Sequence, residues 1–314
     1  MKINQIKFIN RSTLSFIHEA RQVPGYRLFD LLHGYVYARW PYLYISIGKG
    51  EHRYTPVFLK ISAVFTRLFI SLLNRNPPEQ KTNGSTFADS YHGKVVPLDA
   101  ATQLVTVQEE IRLENLEQII PYRQARDIVL KNPTHIVALE CPCRSAKENP
   151  CTPLDVCLII GEPFTSLVSD HHPNRSRWID STEAIEILRA EDERGHVHHA
   201  FFKDAMLGRF YAICNCCACC CGAMQAHQRG TPMLASSSYI SSVDPELCIG
   251  CGDCSEVCQF SAIHVDQGFA VVDEAACMGC GVCASHCEQD AIILFHEPRR
   301  GEPLEIQNLI NLLH

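Results

Sequence analysis

The stretch CIGCGDCSEVCQFSAI, residues 248–263, returns as CMGCGVCASHCEQDAI, residues 277–292. Its cysteines fall at matching places, Cys248, Cys251, Cys254 and Cys258, then Cys277, Cys280, Cys283 and Cys287, with glycines at 250, 252, 279 and 281 repeated between them. Most thiols this close cannot bridge one another with good disulfide geometry, but they can converge on a metal. Three cysteines at intervals of three wrap one tight loop around a cluster face, while the fourth points away. The glycines let the backbone approach and turn its amides toward sulfur.

This repeat resembles the bacterial-type ferredoxin with two [4Fe–4S] clusters, over residues 241–297. The resemblance implies crossed ligation: Cys248, Cys251, Cys254 and Cys287 for one cluster, and Cys277, Cys280, Cys283 and Cys258 for the other. Val257, Ile263, Val265, Val271, Val272, Ile292, Ile293 and Leu294 would then shield the clusters and form flanking strands. The proline that usually follows the fourth cysteine is replaced by Gln259 and Glu288, which loosens the turn or admits a polar contact. Two zinc sites are the alternative, disfavoured because zinc sites typically pair two CxxC knuckles.

Ten of the 18 cysteines remain: Cys141, Cys143, Cys151 and Cys157 in one group, and Cys214, Cys216, Cys217, Cys219, Cys220 and Cys221 in another. Adjacent cysteines point different ways, so the triple cannot all face one metal. The pieces ECPCR (140–144), GHVHH (195–199) and CNCCACCC (214–221) together resemble a central module of multi-cluster ferredoxin-type proteins from anaerobes, over residues 121–225. This implies one or two further Fe–S clusters held by a subset of these cysteines, with zinc, or free thiols or a redox disulfide, as alternatives. His171, His172, His196, His198 and His199 read as solvated or hydrogen-bonding groups rather than ligands, and Arg144 as a donor to a reduced cluster or a surface salt-bridge partner.

The 314 residues are unevenly charged. Residues 1–78 carry 11 Lys/Arg against 3 acids, whereas 230–298 contain ten acids and no Lys or Arg. The acidic segment suits redox partner proteins with basic docking surfaces and speaks against nucleic acid. The basic segment is aromatic (Tyr35, Tyr37, Trp40, Tyr42, Tyr44). It shows helical periodicity over Leu28–Val36, stopped before Pro41, and again over Val57–Leu73, where Lys60, Arg67 and Ser71 form a narrow polar stripe. Residues 26–73 could therefore lie on a membrane surface or pack against protein. No apolar run is long enough to span a bilayer, and residues 1–11 do not read as a signal peptide, so the expected place is the cytoplasm, with peripheral attachment to the inner membrane face as an option.

Asn74–Ser90 and Gln228–Pro245 read as loops, Pro121–Leu130 as a helix, and His135–Glu140 as a strand. Asp180 with Glu183 caps a helix that ends at Gly195, and 303–314 forms a short amphipathic helix. No phosphate-cradling glycine loop, CxxxCxxC, GxSxG or HExxH occurs, so no flavin or NAD is expected. The expectation is an α+β protein: a helical region (1–78), a linker and connecting helix (79–120), a cysteine-rich α/β central module (121–230), a dicluster ferredoxin-like domain (241–297) and a tail (298–314). Single-electron transfer without catalysis is the expected role, with a reductase built on a central cluster as the alternative.

Overall fold

The computed structural model describes residues 10–52, 55, 90–114, 116–122 and 127–311. The amphipathic stretch Val57–Leu73 and, except for Ser90, the loop Asn74–Ser90 lie outside the described residues. Three helices come first: α1 (Arg11–Ala20), α2 (Leu28–Arg39) and α3 (Pro41–Gly48). Pro41 ends the α2 pattern as expected and, having no N–H to leave unpaired, opens α3 at its first position.

Strand β1 (Tyr91–Val95), helix α4 (Leu98–Val105), β2 (Ile111–Leu113) and the long β3 (Ile128–Leu139) follow. Then come α5 (Pro142–Ser145), β4 (Cys157–Glu162), α6 (Phe164–His171), β5 (Ser176–Ile179), α7 (Ser181–Glu193), β6 (Val197–Lys203), β7 (Arg209–Cys216), α8 (Gly222–Gln228) and β8 (Leu234–Ala235). These strands form one sheet in the order β2-β3-β4-β7-β6-β1-β8, with β5 also paired to β3. Every named pair is antiparallel except β1 with β8. The central module is thus a largely antiparallel sheet with helices packed on it, not the parallel βαβ arrangement of an α/β module.

Two local expectations are corrected. Ile128–Leu130 are strand rather than helix, because they pair with Ile111–Leu113 and bury Ile128 and Leu130 in the core. The stretch 228–245 is not simply a loop, since β8 and β9 (Tyr239–Val243) lie in it. The chain also enters the sheet at Tyr91, inside the span read as linker and connecting helix. Other expectations hold: the Asp180 carboxylate accepts from the Glu183 N–H at 2.9 Å, and α7 hands over to Gly195 at φ +75°.

The N-terminal helices are part of this core. Phe16 and Ala20 are buried, Tyr26 Oη donates to Ala205 O at 2.8 Å, and Arg209 pairs with Glu19 at 2.7 Å. Along α2, in contrast, Leu28 and Phe29 are each 71% exposed, and Leu32, with Trp40 just past the helix end, is also exposed.

The C-terminal segment has its own small elements: β9, α9 (Asp253–Val257), β10 (Ile263–Asp266), β11 (Phe269–Val272), α10 (Val282–Ser285) and β12 (Ile292–His296). β10 pairs with β11, and β12 with β9, both antiparallel. Ile263 and Ile292 are buried; Ile293, next along β12, turns to solvent by alternation, and Val265 is exposed although it shares the Ile263 face of β10, so neither shields the interior. A final helix, α11 (Ile306–Asn311), buries Ile306.

Candidate metal centres

The repeat folds into two loops that each carry three cysteines. Gly250 and Gly279 sit at equivalent places with φ near +68° and +65°, and a Cβ there would meet Gly268 O at 2.3 Å and Tyr239 O at 2.1 Å. Only glycine permits both the turn and the approach. The loops enclose two small cavities, one lined by Cys248, Cys251, Cys254 and Cys287, the other by Cys258, Cys277, Cys280 and Cys283. Each fourth cysteine thus lines the opposite loop's cavity.

Backbone amides reach these sulfurs. Ala270 N–H donates to Cys248 Sγ and Ala262 N–H to Cys258 Sγ, both at 3.3 Å, while Ser241 Oγ lies 3.2 Å from Cys283 Sγ. Burial pushes the Cys283 thiol up to about 11, and Cys280 and Cys254 upward too. Four thiolates cannot ionise together in such a place without a cation to compensate them, so the donor set fits a metal cluster.

The ten central cysteines divide into six and four. Strand pairing sets Cys157 opposite Cys214, and Cys214 and Cys216 share a face of β7. Contacts then run from Cys214 to Cys157, Cys141, Cys143, Cys221 and Cys216. Cys143 is held below the usual thiol range by hydrogen bonds from Cys141 and Cys221, and Cys216 is lowered to about 6 by Cys221 and by nearby His199. These six line one chamber together with Tyr37, Tyr91 and Tyr211. Tyr37 and Tyr211 share a hydroxyl hydrogen bond of 2.8 Å, and Lys203 Nζ stands 4.7 Å from the Tyr37 ring and 4.4 Å from that of Tyr91.

The other four, Cys151, Cys217, Cys219 and Cys220, meet where the loop before β4 reaches the turn after β7. Their ligand atoms all lie within 4.8 Å of one another. Cys216 and Cys221 thus face the chamber's sulfurs while the cysteines between them form a separate group, as neighbouring side chains on a tight turn must diverge.

Arg144 is not a surface residue. It is 1% exposed, forms an ion pair with buried Glu191, and donates to Pro153 O at 2.6 Å and Asn215 O at 3.1 Å, so it braces the loops while lining the thiol chamber near Cys141 and Cys217. The histidines make hydrogen bonds as expected: His172 donates to Ala38 O at 2.7 Å, His196 contacts Glu191 at 2.7 Å, and His198 contacts Asn215 Oδ1 at 2.6 Å. They are buried rather than solvated. Gln259 makes the polar contact that a proline could not. Its amide accepts from Ala218 N–H at 2.9 Å and donates to Gly195 O at 3.0 Å, tying the C-terminal segment to the central cysteine turn.

The chamber tyrosines Tyr91 and Tyr211 and the His199–Cys216 contact were not foreseen. The tyrosines come from strands distant in sequence with nothing local to signal a site, whereas His199 and Cys216 lie in GHVHH and CNCCACCC and only their contact between β6 and β7 was hidden.

A family model described as a 4Fe-4S binding domain matches residues 242–264 and again 270–293. No curated protein matches the chain. The C-terminal segment therefore carries a ferredoxin-type 4Fe–4S binding domain, and the chain is an iron–sulfur, metal-binding protein. No helix among the described residues is long and apolar enough to cross a membrane.

Proposed function

We propose that this protein passes single electrons between redox partners through two [4Fe–4S] clusters, held by Cys248, Cys251, Cys254 and Cys287 and by Cys277, Cys280, Cys283 and Cys258, and through a further iron–sulfur centre in the six-thiol chamber. The observation that carries this reading is that the crossed sets of four thiols are the sets lining the two C-terminal cavities. When bound, such clusters supply one-electron chemistry at potentials set by charge, hydrogen bonds to sulfur and solvent exposure. Here the N–H groups of Ala262 and Ala270 stabilise added negative charge on Cys258 and Cys248, and Ile263 and Ile292 exclude water. Gln259 fixes the C-terminal segment against Ala218, beside the central cysteines.

The partners are proteins with basic docking faces, matched to a segment with ten acids and no Lys or Arg. The exposed apolar residues of α2 supply a peripheral contact with the inner membrane face. Reversible bleaching of the anaerobically purified protein, with reoxidation by a basic cytochrome that slows as salt is raised, is the expected result. Protein without iron, or iron that cannot be cycled by one-electron donors, overturns the reading. A second reading, a reductase, is favoured by the buried Tyr37 and Tyr211 and the half-buried Tyr91 beside the six thiols, around a cavity of about 70 Å³. Reoxidation by a small molecule without any protein partner would select it.

A further inference from the structure

The four thiols grouped beside the six differ from the C-terminal sets in one measurable way, their spacing. Cys151 Sγ lies 3.2 Å from Cys219 Sγ and 3.7 Å from both Cys217 Sγ and Cys220 Sγ. Cys219 Sγ is 3.3 Å from Cys217 Sγ and 3.6 Å from Cys220 Sγ. A single ion bound tetrahedrally at about 2.3 Å by four sulfurs holds them about 3.8 Å apart. A cubane spreads its four thiolates wider, because each caps its own iron at a separate corner.

The rest of the chain supplies an internal control. Among the described residues, Cys151, Cys217, Cys219 and Cys220 are the one group of three or more such side chains whose ligand atoms all fall within 4.8 Å of one another. No three of the eight C-terminal cysteines, grouped around their own cavities, have sulfurs that all fall within that distance.

We propose that Cys151, Cys217, Cys219 and Cys220 bind one zinc ion in a closed, four-thiolate structural site. Four sulfurs leave no coordination position open for a substrate, the arrangement of a structural rather than a catalytic zinc. The placement suits a brace. Cys151 comes from the loop before β4 and the other three from the turn after β7, and Cys217 and Cys220 also line the six-thiol chamber. Lys49 holds the same corner by donating to Cys220 O at 2.8 Å and Cys143 O at 3.2 Å. The zinc fastens the loop of Cys151 across the chamber wall and exchanges no electrons. This inference is independent of the electron-transfer reading, since it concerns a redox-inert ion.

Zinc and iron per chain would be measured on full-length protein purified anaerobically, together with zinc X-ray absorption. One zinc per chain with four sulfur neighbours at about 2.3 Å is expected. Cys219→Ser, at the exposed corner, and Cys151→Ser should each lose that zinc while iron and acid-labile sulfide stay at wild-type values. Protein grown with cobalt should show the visible bands of tetrahedral cobalt thiolate, absent from Cys219→Ser but with its cluster absorption unchanged. That second readout separates loss of the site from loss of the fold. Either variant losing four irons would make the tetrad a cubane site, and one losing a single iron would make it an iron–thiolate site. Zinc retained by both variants, or absent from the wild type, likewise overturns the proposal.

Discussion

The C-terminal repeat and the central module hold cysteines in similar number, eight against ten, yet assemble them in opposite ways. In the repeat, three of each four are delivered by one short loop, and the crossing of Cys258 and Cys287 follows from two loops lying against each other. In the central module, Cys141, Cys157, Cys214 and Cys221 come from separate elements and meet only because β4, β7 and the turns beyond them are in register. A local motif carries its own ligand geometry; a site gathered by a sheet borrows it from the packing of the whole molecule. The first should tolerate changes elsewhere in the chain, while the second should be sensitive to every brace around it.

Iron content is where this contrast could break most completely. Serine at Cys254 or Cys283 should remove about four irons per chain and spare the chamber, while serine at Cys141 or Cys214 should do the reverse, as determined by iron and sulfide analysis. A substitution in one region that empties both would abolish the distinction. Next in size is Arg144→Met, which takes from the buried Glu191 carboxylate its buried counter-charge and leaves it the partly exposed Arg194 and the His196 ring. It should cost about 3–5 kcal/mol, read as a lower urea midpoint, and the double variant Arg144→Met/Glu191→Leu should recover most of it. Recovery that fails would mean that the hydrogen bonds to Pro153 and Asn215, not the charge pair, carry the bracing.

Lys94 sharpens the comparison at the seam between the regions, where its buried ammonium donates to Ser238 Oγ at 3.0 Å and Glu302 O at 3.2 Å. Burial lowers it from 10.5 to about 7. Between those values the folded protein binds fewer protons than the unfolded chain, so this lysine's contribution grows as pH rises toward 10.5 and is lost as pH falls through 7. Relative to Lys94→Met, the wild type should gain at most about 1.4 kcal/mol per pH unit over that window, seen as a sloping difference in melting temperature. A flat difference would mean an ordinary lysine. Gln259→Ala should have the smallest effect, about 1–2 kcal/mol, with faster amide exchange at Ala218 and unchanged iron content.

Reading the sequence recovered what is local. The repeat, the Asp180 cap, the stop at Pro41 and the strand within 135–140 all rest on signals a few residues wide. What escaped it depends on distant partners. Residues 128–130 look helical after Pro121, but pairing with Ile111–Leu113 makes them strand. Arg144 beside Cys143 looks like a surface salt-bridge partner until Glu191, from α7, is found buried against it. The division of ten thiols into six and four was equally hidden, because the turn after Cys216 sends successive side chains to opposite sides.

The pairing of β9 with β12 sets Tyr239 directly opposite His296, so the chain leaves the larger body and returns to it at neighbouring points. In the language of engineering, residues 239–296 are a cassette with adjoining ends. Such a unit can be exchanged for another of similar end spacing without rethreading the sheet behind it, with Gln259 as a fastener inside it and Lys94 holding Ser238 and Glu302 just outside its ends.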